Sequence, residues 1–395
     1  MNIFDGAYKL PPKDLIGAEI NNTKENYTYY YSLLYSNIFN DSKIENFVVY
    51  KGIMLEYNNS AINKDSIIFG EYSPELFYKI NKLLIKNIRE NYEESNKFFF
   101  INSWNSYFEK SYLEPEERFG YGSINALSKA LFDLPFYPKY DLSNLKINCL
   151  VAVQAHIFYI DTLNEIINKT NNIPIKFDLY ISTNSIEKMK FMKNYTDIFS
   201  KANNVSIKVT ENKGRDIYPF LIQMGEVIDK YKYLCHIHGK KTIYAPIIGE
   251  KWRTYLFNNL LGTTELISEI FSLFEKYDKL GFIFPENYYV NLWATMFVGP
   301  GTKERMIYLF TKIFPEYKFS DKYFDFPAGD MFWARTKAIY QIFKIDLRND
   351  IPEEIGSKRI LWAIERLWLF FVKQNGYYYK KILDYYEKIL IYNYL

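Results

Sequence analysis

Apolar and polar positions recur along this chain with helical and strand-like periods, and a new pattern begins at Lys146. Before it, Leu76, Ile80, Leu83, Leu84 and Ile88 recur at helical spacing behind Ser73-Pro74-Glu75. Ser73 is a good N-cap and Pro74 suits the first turn, so a helix is predicted there. Phe98–Ile101 reads as a buried strand, and Gly122 to Phe132 as a second helix. Residues 1–60 hold only short apolar runs. Pro135-Phe136-Tyr137-Pro138 breaks the pattern and reads as a linker. Beyond it, the apolar strand Ile147–Val153 is followed by a helix over Asp161–Lys169, a strand over Phe177–Ile181, a helix over 186–201 and an alternating strand over Val205–Val209. A helix and the strand Tyr231–Ile237 come next. Strand and helix thus alternate with a step of about 30 residues, the rhythm of a parallel sheet covered by helices.

In such sheets ligands bind beyond the carboxyl ends of the strands. The polar clusters of this chain fall there. One is Asn212, Gly214, Arg215 and Asp216; the other is His236, His238, Lys240 and Lys241. His236 and His238 are two of only three histidines, and their i, i+2 spacing points both to one face of a strand. Two lysines and the turn at Gly239 complete a strand end suited to an anion such as a diphosphate. Thr183 and Asn184 end the second strand and are expected to line a base slot. His156 ends the first strand and is assigned to the same slot, although a lone histidine on an apolar strand also serves as a core hydrogen-bonding group.

Composition narrows the classes. The chain has 395 residues, 48% hydrophobic and 24% charged, enough for two domains with ample core. A net charge of +3 gives no field for binding nucleic acid. Neither G-x-G-x-x-G nor G-x-x-x-x-G-K-[ST] occurs in the repeating region, which argues against dinucleotide and P-loop chemistry. The two cysteines, Cys149 and Cys235, sit in apolar strand-like runs and are expected to be buried free thiols. The N-terminus lacks a basic and apolar leader, and no window approaches the roughly 20 apolar residues of a membrane span. The expectation is a cytoplasmic protein, or one peripheral to the inner face of a membrane.

Two stretches resemble known families. Phe99 to Ala130, with Asn102-Ser103-Trp104-Asn105 and Leu113-Glu114-Pro115, is similar to the end of the WbsX-like family, whose fold is a TIM-like barrel associated with surface-polysaccharide synthesis. Lys51-Gly52-Ile53-Met54-Leu55-Glu56 and Tyr72-Ser73-Pro74-Glu75-Leu76-Phe77 match that family too. Asn105-Ser106-Tyr107 stands where the family has Asn-Glu-Trp, and about 130 residues are too few for eight strands. A remnant that packs rather than catalyses is expected. Residues 147–375 resemble the rhamnan synthesis protein F family of glycosyltransferases. The matching pieces are Val153–Tyr159, Asn212–Asp216 with Pro219-Phe220, His236–Lys241, Trp252-Arg253, Leu260-Leu261-Gly262, Phe326–Arg335 and Ala363–Arg366.

The resulting expectation is an α/β chain: a GT-A-like (Rossmann-like) glycosyltransferase domain over 146–376, a smaller N-terminal α/β remnant of a TIM-like barrel over 1–140, and a C-terminal aromatic and basic helix over 377–395. The resemblance implies transfer of a sugar, by analogy L-rhamnose, from a dTDP- or UDP-sugar to a cell-surface polysaccharide or lipid-linked acceptor, with inversion. The alternative is an inactive module that binds polysaccharide or scaffolds partner transferases. Glu365 is the expected general base and Asp330 its rival, with a buried Glu365–Arg366 clamp as the structural alternative. Trp252, Arg253, Arg335 and Arg366 are expected to contact acceptor or sugar. Lys240 and Lys241 are expected to neutralise the leaving diphosphate in place of a D-x-D-bound metal, so that no cofactor is required; His236 and His238 as metal ligands are the alternative. The C-terminal aromatics with lysines suit either a membrane surface or packing on the domain.

Overall fold

The computed structural model describes residues 6–8, 27–30, 48–63, 66–70, 72–134, 150–195, 199, 201–239, 241, 246–286, 301–316, 325–344 and 359–382. The chain divides into two compact units, Met1–Lys139 and Tyr140–Leu395.

The first unit holds strands β1 (Gly6–Tyr8), β3 (Val48–Met54) and β6 (Phe99–Asn102), all parallel in the order β1-β3-β6. A second sheet joins β2 (Tyr27–Tyr30), β5 (Ile67–Gly70) and β4 (Tyr57–Asn58). Helix α1 (Pro74–Asn91) begins where the sequence predicts it. The Ser73 hydroxyl accepts from the Leu76 amide at 3.1 Å, and Leu76, Phe77, Ile80, Leu84 and Ile88 form its buried stripe. Helix α2 (Gly122–Leu131) packs against it. No barrel closes among the described residues. Glu109 is held by Tyr57 at 3.0 Å and Ser106 at 2.9 Å, so its carboxylate is engaged in local hydrogen bonds.

The second unit is built on a seven-stranded sheet: β7 (Val151–His156), β8 (Phe177–Thr183), β9 (Ala202–Val209), β10 (Tyr233–His238), β11 (Leu280–Pro285), β12 (Phe332–Arg335) and β13 (Tyr378–Ile382). Their spatial order is β13-β11-β12-β10-β7-β8-β9, and β12 alone runs antiparallel to its neighbours. Helices α3 (Leu163–Thr170), α4 (Ile186–Lys193), α5 (Ile217–Gly225), α6 (Pro246–Leu261), α7 (Thr264–Lys276), α8 (Thr302–Ile313), α9 (Thr336–Ile339) and α10 (Arg359–Gln374) complete the unit. On one face, α5, α8, α9 and α10 enclose a core around Phe220, Phe282, Phe332 and Trp368. On the other, Tyr233, Phe271 and Trp333 form a second aromatic core, and the Trp333 indole donates to the Leu260 carbonyl at 3.1 Å. Mixed α/β architecture with a mostly parallel sheet is what strand–helix periodicity predicts.

Two expectations change here. The C-terminal segment expected as a helix begins instead with β13, an edge strand parallel to β11. Its Lys381 is drawn inward by Asp325 at 2.8 Å and Glu286 at 3.4 Å, and this buried ion pairing favours strand over a surface helix. Residues 383–395 lie outside the described residues. The apolar strand expected to end at Val153 continues to His156, because Gln154 and His156 find polar partners inside the fold. Cys235 is a buried free thiol whose pKa is pushed up by burial, whereas Cys149 and the linker at 135–138 lie outside the described residues.

Candidate functional site

From β7 the chain adds β8 and β9 on one side, then returns through α5 to place β10 on the other side of β7. At such a reversal the connections diverge and leave a crevice beyond the two carboxyl ends. The β7 and β10 registers pair His156 with His238 and Gln154 with His236, so four polar side chains share one face at that crevice.

They form a network inside the fold. The Gln154 amide donates to Ser182 Oγ at 2.9 Å and to Gln223 Oε1 at 3.2 Å, which leaves its oxygen as the acceptor for His236 Nδ1 at 2.7 Å. The His236 ring stacks on Phe220 of α5, centroids 4.1 Å apart, and is fully buried. His156 Nδ1 lies 2.9 Å from Ser182 Oγ. Burial pushes the His156 pKa down to about 4 against the pull of Asp216, and burial lowers that of His236 as well, so both rings are neutral near pH 7. The rings of His236 and His238 stand 6.0 Å apart.

Asp216 reaches this pair from the start of α5. Gly214 and Arg215 both take left-handed backbone, φ 64 and 53, and turn the chain into the helix. Asp216 occupies the N-cap position without capping its own helix. Its Oδ2 lies 3.6 Å from His238 Nε2 and 3.9 Å from His236 Nε2. Arg215 and Asn212 are exposed on the same loop.

The loop before β12 supplies a second carboxylate. His238 Nε2 donates to the Gly329 carbonyl at 2.8 Å, the Gly329 amide donates to Glu365 Oε1 at 2.9 Å, and the Trp368 indole donates to Asp330 Oδ1 at 2.6 Å. Gly329 and Asp330 are both left-handed, φ 98 and 54. A Cβ on Gly329 would come within 2.7 Å of Leu256 and 3.2 Å of Trp252, so only glycine lets the loop lie against α6. Strand β10, helix α10 and helix α6 thereby fix Asp330, which is buried.

The structure therefore brings together His156, His236, His238, Asp216, Asp330 and Glu365, with Trp252 beside the loop. Several other expected residues are engaged with partners of their own. Arg335 pairs in register with Tyr233, at the opposite end of β10, and donates to the carbonyls of Leu280 and Phe274 and to the Tyr233 hydroxyl. Antiparallel β12 carries it away from the carboxyl-end crevice, which corrects its assignment to acceptor contacts. Arg253 is buried and bound to Glu165 at 2.8 Å, joining α6 to α3. Arg366 donates to the Trp362 carbonyl and covers the Phe326 ring at 4.4 Å, with Glu365 at 4.0 Å. Thr183 Oγ1 donates to the Ile157 carbonyl, and Asn184 accepts from Lys188. Lys241 pairs with Asp161 over the Tyr159 ring, and Lys240 lies outside the described residues. Gln154, Ser182, Gln223 and Trp368 escaped sequence reasoning; an uncharged polar residue inside an apolar strand was the available signal for Gln154 and Ser182.

The family described as rhamnan synthesis protein F matches residues 131–377, and that described as glycosyltransferase WbsX matches residues 8–127. Two relatives from strains of Xanthomonas campestris pv. campestris, each named uncharacterized protein WxcX, are 24% identical over 339 residues. The match covers 85% of this chain and 47% of theirs, so the chain spans about half the length of the curated relatives it matches. A solved CMP:2-keto-3-deoxy-manno-octonic acid synthetase, complexed with CTP, aligns at 9% identity over 59% of this chain and 89% of that one. Its TM-score of 0.28 is too low to inform the site.

Proposed function

The chain belongs to the rhamnan synthesis protein F family, and from that premise we propose that it is a glycosyltransferase of polysaccharide synthesis. It moves a sugar from a nucleoside diphosphate donor to a polysaccharide or lipid-linked acceptor. The match of its N-terminal part to glycosyltransferase WbsX supports the same reaction class. In the finer reading, the second unit is GT-A-like, the donor is dTDP- or UDP-linked L-rhamnose, and transfer inverts the anomeric centre. Among the described residues no helix is long and apolar enough to cross a membrane; the work is assigned to the cytoplasmic face, where nucleotide sugars are made.

One observation carries this reading: acid and imidazole side chains converge at the carboxyl ends of β7 and β10, where the sheet order reverses. Inverting transfer needs a base that takes the acceptor proton and groups that stabilise the departing diphosphate. Glu365 is assigned as the base. One of its oxygens is fixed by the Gly329 amide, and its side chain keeps 18% of its surface exposed. Asp330 is the poorer base, being almost wholly buried with Oδ1 tied to Trp368. Asn212, Arg215 and the Thr183–Asn184 strand end are assigned to the donor side of the crevice.

The test is release of nucleoside diphosphate from dTDP- and UDP-sugars by the full chain with an oligosaccharide acceptor. Glu365→Gln is expected to lower kcat about 10²- to 10⁴-fold, leaving the affinity for the nucleoside diphosphate unchanged. Wild-type turnover by Glu365→Gln removes the base assignment. Absence of nucleotide binding removes the enzyme reading and favours the second one, a module that holds polysaccharide. That reading has its own support in the first unit, where Trp104, Tyr107, Phe108 and Tyr121 each expose more than half of their surface.

A further inference from the structure

Asp216, His236 and Asp330 each offer one ligand atom, and these atoms lie within 4.8 Å of one another. They arrive from three separate segments: the turn into α5, strand β10 and the loop before β12. A divalent cation holds such donors at about 2.0–2.2 Å, so the three side chains would draw closer together to share one.

The proton on His236 is placed by its neighbours. Gln154 Oε1 is an acceptor, because the amide nitrogen is spent on Ser182 and Gln223; Nδ1 therefore carries the hydrogen. In the neutral ring Nε2 is left with a lone pair. That atom is buried and has no hydrogen-bond partner among the described residues, and the 3.9 Å to Asp216 Oδ2 is beyond hydrogen-bonding distance. A cation would join this buried lone pair to the two carboxylates. An imidazole that donates its far N–H to an amide oxygen, and a carboxylate held by an indole N–H, are the outer supports that metal ligands require. Here they are Gln154 for His236 and Trp368 for Asp330. His238 is not a ligand through Nε2, since that hydrogen goes to the Gly329 carbonyl; it positions the loop that carries Asp330.

We propose that Asp216, His236 and Asp330 form a divalent-cation site. Two carboxylates with one imidazole suit a divalent ion such as Mn2+, and three protein donors leave positions open for oxygens of another molecule. Resting on the transferase reading, those oxygens are the donor diphosphate's. The cation then supplies the charge that the sequence assigned to Lys240 and Lys241, and it offsets the repulsion between Asp216, Asp330 and an incoming anion.

The test is Mn2+ binding by the EDTA-treated full chain, followed by loss of the free-ion paramagnetic resonance signal and by thermal melting, with and without UDP or dTDP. One Mn2+ per chain is expected, with a rise in Tm. Asp330→Asn and His236→Gln are expected to weaken binding at least tenfold, while Glu226→Gln, which alters an exposed acid paired with Lys208, binds as wild type. Should Asp330→Asn fail to fold, Asp216→Asn on the partly exposed turn decides. Absence of stoichiometric Mn2+ binding, or binding untouched by these variants, overturns the site. Nucleotide binding that is equal in EDTA and Mn2+ also overturns the coupling but leaves the transferase reading intact. Failure to bind nucleotide under either condition removes the transferase reading, and the Mn2+ titration still judges the site.

Discussion

His156 ends β7 with a neutral ring, and that neutrality has a consequence at acid pH. Its folded pKa of about 4 lies below the ordinary value of 6.5 because burial disfavours the imidazolium. In the unfolded chain the same ring takes a proton near pH 6.5, so below that pH the unfolded state binds more protons and folding loses stability. The loss begins as pH falls through 6.5 and levels off near 4. Between pH 7 and 5 it amounts to about 2 kcal/mol for this one group. Denaturant titrations at both pH values, in EDTA, are expected to show that His156→Gln lowers this acid sensitivity by about that amount. Equal sensitivity in the variant would mean that the ring is solvated rather than enclosed. Individual residues at this scale were legible from the sequence only where chemistry is unusual. The H-x-H pair and the Gly214–Asp216 turn stood out. The direction of Arg335 did not, because it depends on β12 running against its neighbours, and that reversal leaves no local mark.

Among elements, β13 shows most clearly what periodicity misses. Tyr377–Leu395, aromatics with lysines, is expected as a helix; over Tyr378–Ile382 tertiary partners make it a strand instead. Lys381 lies across from Phe284 on β11, its ammonium beside two almost fully buried carboxylates, Asp325 and Glu286. Removing the cation would leave those charges buried together. Lys381→Met is therefore expected to cost about 3–5 kcal/mol, read as a lower urea midpoint, and Lys381→Arg to restore part of it. A cost under 1 kcal/mol would show that the group is solvated. By contrast α1, α2, β8 and β9 could be read from the sequence, because each has its own cap, amphipathic stripe or apolar run; β6 forms where its apolar run predicts it, but Phe98 and Phe100 are exposed rather than buried. The Ser73 cap and the apolar face behind it are local information. Gln154, Gln223 and Trp368 are not: each matters through a partner from another element, at sequence separations of 38 residues or more. The two families recognised from motifs in order along the chain are the families that match, over 131–377 and 8–127.

For the molecule as a whole, the division after Lys139 raises the question of what the larger unit needs in order to work. Residues 140–395 contain the seven-stranded sheet, helices on both of its faces, and every residue brought together at the crevice. A sheet covered on both faces already buries its apolar surface, and roughly 250 residues are ample for one core. A fragment comprising residues 140–395 is therefore expected to melt in one cooperative transition and to bind UDP or dTDP within about threefold of the full chain, since an affinity change that small is under 1 kcal/mol. Calorimetry and nucleotide titration of the two proteins side by side provide the measurement. A fragment that binds dye without a cooperative melt would show that residues 1–139 supply part of its core. A cooperative fragment whose nucleotide affinity falls tenfold or more would instead assign part of the binding surface to the first unit. Only the first outcome, folding and affinity retained together, leaves acceptor recognition as the remaining task for the exposed aromatics near Trp104.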